Sequence, residues 1–514
     1  MKLYSLSAGL LAILPLGVAA DDLVVASVSN DLANMVLGNA GTCCVGLKLF
    51  LGDKVSVEGQ SVYTNSLESY FSLQNAQLTP NCIITPTSKE DVALSVFLLN
   101  VGSKLLPGRC NFAIRSGGHT PWVGANNIDD GVTIDLSKLN QVNVSKDRKT
   151  VDVGPGNRWL DVYGRLETQG LTVVGGRASI VGVGGLTTGG GISYFSPRYG
   201  YAVDNIDNFE VVLASGQIVN ANSKTNTDLF KALKGGSGNF GIVTSFTMRA
   251  YEQGPMWGGF VGFDISTIDK QFAFFESLTG SANYDPYASF ILNVVYDQAT
   301  TSWSASHSVV YSKPVANPPA YQPLLALPQT FNTADVKNLT QLTIELGYSN
   351  PNGRRQLFTT ATFKNSAAML SEIYKIAQTN VNSISGISGI KYSLSFQPIP
   401  TVINSKAAAS GGNSLGLDAS DGNLMNMLLT VTWDNKSDDA TVESAAKNLF
   451  AQANTKAKSL GKFHEYLYLN YAAKWQDPIS GYGADSKAKL QAASKKYDPA
   501  GLFQKNVPGG FKLF

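Results

Sequence analysis

Two glycine-rich stretches and a tyrosine block carry the residue types that could do chemistry. The first stretch is Arg115-Ser116-Gly117-Gly118-His119. The second is Val181-Gly182-Val183-Gly184-Gly185-Leu186-Thr187-Thr188-Gly189-Gly190-Gly191. Without a Cβ, main-chain N–H groups can come close to a ligand and adopt positive φ, so such loops suit a phosphate-bearing cofactor. His119 ends the first loop, where an imidazole could meet the cofactor ring. Near the C-terminus, Tyr468-Leu469-Asn470-Tyr471 offers phenols and an amide. A phenol titrates near 10, so Tyr471 would need neighbouring positive charge or donors to act as a base near neutral pH. Taken singly, each block has a plainer reading: a histidine after two glycines is often a hydrogen-bonded turn residue, and tyrosines favour strands.

These residues need elements to hold them. A brief strand within residues 78–86, flanked by prolines, leads to Thr87-Ser88-Lys89-Glu90, a capping box for a helix over 92–101. Residues 112–115 read as the strand that delivers the first glycine loop, with further strands at 132–136 and 150–153. A helix over 158–169 stops at Gly170, and a strand at 171–174 leads to the second loop. Residues 209–214 and 217–220 form a hairpin around Ser215-Gly216. A helix over 227–234 ends at Gly235-Gly236, and Gly238-Asn239-Phe240-Gly241 opens a strand over 242–248. Asp204 and Asn205 suit capping or turn roles more than ligand contact. From about residue 253 the pattern becomes β-rich, with strands at 258–263, 290–296, 303–311, 357–363, 392–398 and 425–433. Helices at 267–278, 366–380 and 441–460 accompany them, which suggests an antiparallel sheet covered by helices. Aromatics in residues 257–311 read as sheet packing, and His307 and His464 as surface or satisfied core residues. Residues 314–328 form a proline-rich connection. Residues 407–423, rich in Ala, Ser, Gly and Asp, read as a mobile loop able to serve as a lid.

The bulk numbers set limits. The chain has 514 residues, 44% hydrophobic and 15% charged, with a formal net charge of +2. That describes a globular protein of two or three domains. The balance is too small to drive binding to nucleic acid or a membrane surface. Residues 1–20 read as a secretory signal: Lys2, an apolar run from Leu10 to Val18, and small residues before Asp21-Asp22. Four cysteines (Cys43, Cys44, Cys82 and Cys110) and three sequons (Asn143, Asn338 and Asn435) suit an exported glycoprotein. Their spacing points to no metal site. Adjacent Cys43 and Cys44 are not expected to pair with each other, and one of them should reach Cys82 or Cys110.

In order and spacing the blocks resemble the vanillyl-alcohol-oxidase/PCMH type of FAD-linked oxidoreductase, and within it the oxygen-dependent fungal members of the berberine-bridge-enzyme-like branch. Gly238-Asn239-Phe240-Gly241-Ile242-Val243-Thr244, Tyr497-Asp498-Pro499 and Pro508-Gly509-Gly510-Phe511 complete the match, which spans roughly residues 75–514. The resemblance implies an α+β fold: a PCMH-type FAD-binding domain of two α/β subdomains, plus a substrate domain with a helix-covered antiparallel sheet. Its bounds would be an N-terminal segment at 21–77, the FAD domain at 78–252, the substrate domain at 253–465 and a C-terminal segment at 466–514 that returns to the FAD domain. It implies FAD attached through one histidine, His119. Arg115, Ser116, Gly117, Gly118, Val181, Gly182, Gly184, Gly185, Gly190, Gly241, Ile242 and Val243 would contact the cofactor. Tyr471 would be the base, with Asn470 and Tyr468 beside it. Relatives with a second covalent link have a cysteine where this chain has Ala178, so one link is expected. Val181 matches a position tied to oxygen access, and a small residue there is similar to oxidases. The implied activity is hydride transfer from an alcohol, amine or phenolic or polyketide intermediate to FAD, reoxidised by O2 to H2O2, in fungal secondary metabolism. Two alternatives remain open: a secreted oligosaccharide C1 oxidase, and a flavin-binding scaffold without turnover.

Overall fold

The computed structural model describes residues 41–349 and 351–514. The signal-peptide reading of residues 1–20 lies outside the described residues.

Three sheets organise the described residues. The first has four strands in the order Val55–Ser56, Cys82–Ile84, Val132–Asp135, Phe112–Arg115. Its last two pairings are parallel. Parallel neighbours need a crossover: helix Lys89–Leu105 follows the Cys82–Ile84 strand, and residues 116–131 connect Phe112–Arg115 to Val132–Asp135. The helix cap sits one residue later than the sequence pattern suggested. Ser88 is the N-cap and Asp91 closes the capping box, because the Asp91 carboxylate accepts from the backbone of both Thr87 and Ser88.

The second sheet is antiparallel throughout, in the order Val142–Val144, Thr150–Val153, Ile242–Glu252, Ile206–Val212, Ile218–Asn222, with Leu171–Val173 paired to the long central strand. The 206–212/218–222 hairpin turns at Gly216 (φ +83°). Helix Trp159–Glu167 stops before Gly170 (φ +66°), a backbone state that costs glycine nothing.

The third sheet has nine strands and is antiparallel. The six expected strands are present, joined by three short edge strands (Gln329–Asn332, Asp335–Lys337 and Phe463–His464) that carry little apolar pattern. Helices Ile268–Gly280, Ala367–Val381 and Asp439–Ser459 cover one face. Strand alternation splits the faces cleanly. On Lys391–Ile399, Tyr392, Leu394 and Phe396 are buried in the helix-side core. Ser393, Ser395 and Gln397 point to the other side and line a cavity. On Leu424–Trp433, Met427, Leu429 and Val431 join the core, while Leu428, Thr430 and Thr432 line the cavity. Register places Asn293 against Ser395, and Ser395 against Leu428.

The C-terminal segment packs on the first two sheets. Leu502 and Phe503 join the core of the first sheet, and Leu513 that of the second. The Phe112 N–H donates to the Asn506 carbonyl at 2.8 Å. Two disulfides, Cys43–Cys110 and Cys44–Cys82, tie the first helix to this region, so both adjacent cysteines are used.

Residues 407–423 are a strap rather than a loose lid. Leu415 is fully buried, the Ser414 N–H donates to the Lys234 carbonyl at 2.8 Å, and the Asn413 amide donates to Asp204 at 2.8 Å. Asp204 also accepts from the Tyr201 N–H, and Asn205 holds the Tyr199 and Tyr201 carbonyls, so both serve the turn. His307 is buried, with Gln271 on one nitrogen and the Asn293 N–H on the other. Half-buried His464 contacts Asp421 and the Tyr466 N–H.

Candidate active site

A cavity of about 650 Å³ lies between the glycine loops and the open face of the nine-stranded sheet. One wall is nearly bare backbone. Gly117 and Gly182 pack against each other so closely that a Cβ on Gly117 would lie 2.5 Å from the Gly182 Cα, and one on Gly182 would lie 2.4 Å from the Gly117 nitrogen. No side chain other than hydrogen fits at either position. Gly118 has φ +65°, and a Cβ there would meet Arg115 Nε and the Tyr70 ring at 2.9 Å. The Ser116 hydroxyl donates to the Pro155 carbonyl and accepts from the Gly184 N–H at 3.0 Å, which links the loops.

Most residues expected to meet the cofactor line this cavity: Ser116, Gly117, Gly118, His119, Val181, Gly182, Gly184, Gly185, Gly241, Ile242 and Val243. Two do not. Arg115 is buried behind the loop, where it pairs with Asp135 at 3.3 Å, donates to the Ser69 hydroxyl at 2.6 Å and stacks over Tyr70. An arginine in a strand end finds its carboxylate on the neighbouring strand, so it sets the loop from below. Gly190 (φ +118°) packs beneath Leu415 and Tyr468 as a turn.

His119 is fully enclosed. Its ring stacks on Phe71 with centroids 4.0 Å apart, and Phe358 closes the other direction at 6.1 Å. Burial, and then the nearby Arg158 charge, push its pKa down to about 3, so the imidazole is neutral with a free lone pair. Its Nε2 has no hydrogen-bond partner. Buried polar atoms are rarely left so, and an orphan at a cavity wall points to a missing group.

Across the cavity, the Tyr471 hydroxyl accepts from Arg177 Nη2 at 3.2 Å and from the Gln397 amide at 3.2 Å. Arg177 also donates to Gln397 Oε1. Tyr468 plays a different part. Its hydroxyl is buried, accepts from the Ile192 N–H at 2.9 Å and the Asn470 amide at 3.0 Å, and burial raises its pKa further. Asn470 also donates to the Leu186 carbonyl at 2.9 Å. Tyr468 and Asn470 therefore brace the glycine helix Val183–Thr188, and Tyr471 alone of the three presents its oxygen to Arg177 and Gln397. Sequence reasoning missed Arg177, Gln397, Phe71 and Phe358. Arg177 stands next to Ala178, and Gln397 continues the Ser393/Ser395 alternation, so both left a trace.

The donors fit FAD: a side-chain-free cradle for a diphosphate, a neutral imidazole with an orphan nitrogen, and Lys512 in the lining of the same cavity. The FAD binding domain family matches residues 80–222. FAD-dependent monooxygenase drtC of Aspergillus calidoustus is 39% identical over 475 residues, covering 92% of this chain and 90% of its own. The chain belongs to the family of these fungal FAD-dependent enzymes, which carry the FAD binding domain. Solved structures share the fold. 6-Hydroxy-D-nicotine oxidase from Arthrobacter nicotinovorans has a TM-score of 0.73 at 20% identity, over 90% of this chain and 98% of that one. A variant of berberine bridge enzyme in complex with (S)-reticuline has a TM-score of 0.71 over 95% of this chain and 99% of that one, with 16% identity. As a member of this family the chain is an FAD-dependent oxidoreductase with the mixed α+β fold of the berberine-bridge-like enzymes. Among the described residues no helix is long and apolar enough to cross a membrane.

Proposed function

We propose that this chain is an oxidase that holds FAD covalently through His119 alone and oxidises a small organic alcohol, amine or phenolic or polyketide intermediate of fungal secondary metabolism. The observation that carries the reading is the neutral, unpartnered His119 imidazole in one cavity with Tyr471 and the Gly117/Gly182 cradle, both rings packed near Phe358. FAD, when bound, supplies the acceptor for a substrate hydride and returns the electrons to O2, giving H2O2. The chain's part is placement and proton transfer. Tyr471 is positioned to take the proton of the substrate's hydroxyl or amine. The Arg177 guanidinium at 3.2 Å favours the negative charge that its oxygen must carry to do so. Phe71 and Phe358 fix the plane of the His119 ring and keep water from it. Val181 and Ala178 keep the cavity wall small, and Ala178 offers no thiol for a second link.

Peptide mapping of acid-precipitated protein tests this reading: one flavin adduct is expected, on the His119 peptide. An adduct elsewhere, or none, would overturn it. Peroxide formed in a one-to-one ratio with oxidised substrate, with no atom of ¹⁸O2 in the product, separates an oxidase from a monooxygenase, the activity named for the Aspergillus relative. The hydroxyl row of Ser393, Ser395, Thr430 and Thr432 favours a second reading, oligosaccharide C1 oxidation. A peroxide screen of oligosaccharides against aromatic alcohols and amines decides between them. Two disulfides and the exposed positions of Asn143, Asn338 and Asn435 support passage through the secretory pathway, with glycans at those sites.

A further inference from the structure

Four cationic side chains line the cavity (Arg177, Arg354, Lys391 and Lys512) and, among the described residues, no carboxylate does. Three of the four are accounted for. Arg354 pairs with Asp434 at 2.9 Å and Lys391 with Asp297 at 3.5 Å. Lys512 donates to the Phe503 carbonyl at 3.0 Å. Arg177 has no such answer. It is 7% exposed, yet no carboxylate among the described residues pairs with it. The other two arginines buried this deeply, Arg115 and Arg355, pair with Asp135 and Asp439. Both protein hydrogen bonds of Arg177 leave from Nη2, toward Gln397 and Tyr471. Nε and Nη1 donate to no protein acceptor among the described residues, and the guanidinium faces the cavity. A buried, uncompensated cation is costly unless something opposes it. A planar guanidinium with unused donors matches a delocalised oxyanion.

We propose that Arg177 is the anchor for the substrate's own negative charge, and that the substrate class is an organic oxyanion: a carboxylic acid, or an acidic phenol or enol that binds ionised. The proposal rests on the oxidoreductase reading of this cavity and narrows it. The oxyanion would sit on Nε and Nη1 while Nη2 keeps its hold on Tyr471, so one side chain sets both the charge and the distance of the substrate from the base. Gln397 fixes the guanidinium's rotation from behind. The neutral hydroxyls of Ser393 and Ser395 add no competing negative charge to the face that the rest of the molecule would touch.

The test is ligand binding to the purified flavin-loaded protein, read from the perturbation of the flavin absorbance, and it needs no knowledge of the natural substrate. Benzoate is compared with benzamide, and pentafluorophenolate with pentafluoroanisole. At least one anion should bind more tightly than its neutral counterpart by about tenfold or more, the scale of a charge-assisted hydrogen bond. The pair that shows the gap tells a carboxylate from an acidic phenol or enol. R177Q should abolish the gap, and R177K should retain part of it. Equal binding of anion and neutral partner in the unmodified protein overturns the proposal whether or not either variant folds. A gap that survives in R177Q overturns it too. A His119 flavin adduct found alongside such a negative result would leave the oxidase reading standing, while its absence would remove that reading separately.

Discussion

The two walls of the cavity are built on opposite rules. The glycine wall is made by excluding side chains: Gly117 and Gly182 are held backbone to backbone, and the space beside them stays free because nothing can grow into it. The sheet wall is made by alternation: Ile291, Asn293 and Val295, Lys391, Ser393, Ser395 and Gln397, and Leu428, Thr430 and Thr432 enter the cavity from strands Ala288–Asp297, Lys391–Ile399 and Leu424–Trp433, and each is a separate choice of side chain. The first rule tolerates one residue type and so fixes a common cofactor. The second tolerates many, and so can be varied for each substrate without disturbing the fold. His119 and Tyr471 stand where the walls meet.

The largest effect should come from breaking the first rule. In Gly182→Ala the new methyl would lie within 2.9 Å of both the Gly117 backbone and the Ser116 hydroxyl, in a place where two backbones must move apart. Overpacking of this kind costs about 1–3 kcal/mol, and more where backbone must yield. We expect flavin absorbance per chain to fall to under about one tenth, with most of the protein lost as aggregate. Ser395→Ala, on the sheet wall, should keep full flavin content and change only the apparent KM. Flavin retained in the glycine variant, or lost in the serine variant, would collapse the distinction.

Next in size is Tyr471→Phe. It keeps the ring and its contact with Tyr468 at 4.7 Å but removes the proton acceptor. Flavin reduction in anaerobic stopped flow should slow by about 10²–10⁴-fold with flavin content unchanged, the range for losing a general base. An unchanged rate would take Tyr471 out of the chemistry. Gln397→Leu should do less, about tenfold, because Arg177 still reaches the phenol when its brace is gone.

This contrast also explains what could be read beforehand. The glycine loops, His119 and the Tyr468–Tyr471 block were legible because their constraint is written in residue type: only glycine can occupy Gly117 or Gly182. The strands of the large sheet were legible as a period of two, but which face looks at the cavity depends on where the helices dock, which no local pattern states. Arg115 misled for a related reason. It sits inside the motif by sequence, yet its guanidinium turns back to Asp135 on the adjacent parallel strand. Residues 407–423 looked mobile by composition, but Leu415, seated against Gly190 and Gly235, and Leu417 are buried in the core and pin them.

The last comparison concerns two histidines, one in each half. His119 and His307 are both buried and neutral, each with its pKa pushed down to about 3 by burial. They differ in partners: His307 is bonded at both ring nitrogens, whereas Nε2 of His119 has none. In the unfolded chain both would titrate near the ordinary value of 6.5. Between that value and about 3 the unfolded state binds more protons than the folded one, so stability is full above pH 6.5 and declines as the pH falls. Urea unfolding of flavin-free protein from pH 7 to pH 4 should show a fall with a slope approaching two protons from this pair. His119→Phe, which keeps the stack on Phe71, should remove one proton from the slope and raise stability, since the orphan nitrogen goes with it. His307→Gln should also remove one proton but lower stability, because Gln271 and the Asn293 N–H lose the geometry they share with the ring. Opposite signs at equal slope would mark His119 as a residue kept against the interest of the empty fold, and like signs would make it an ordinary member of the core.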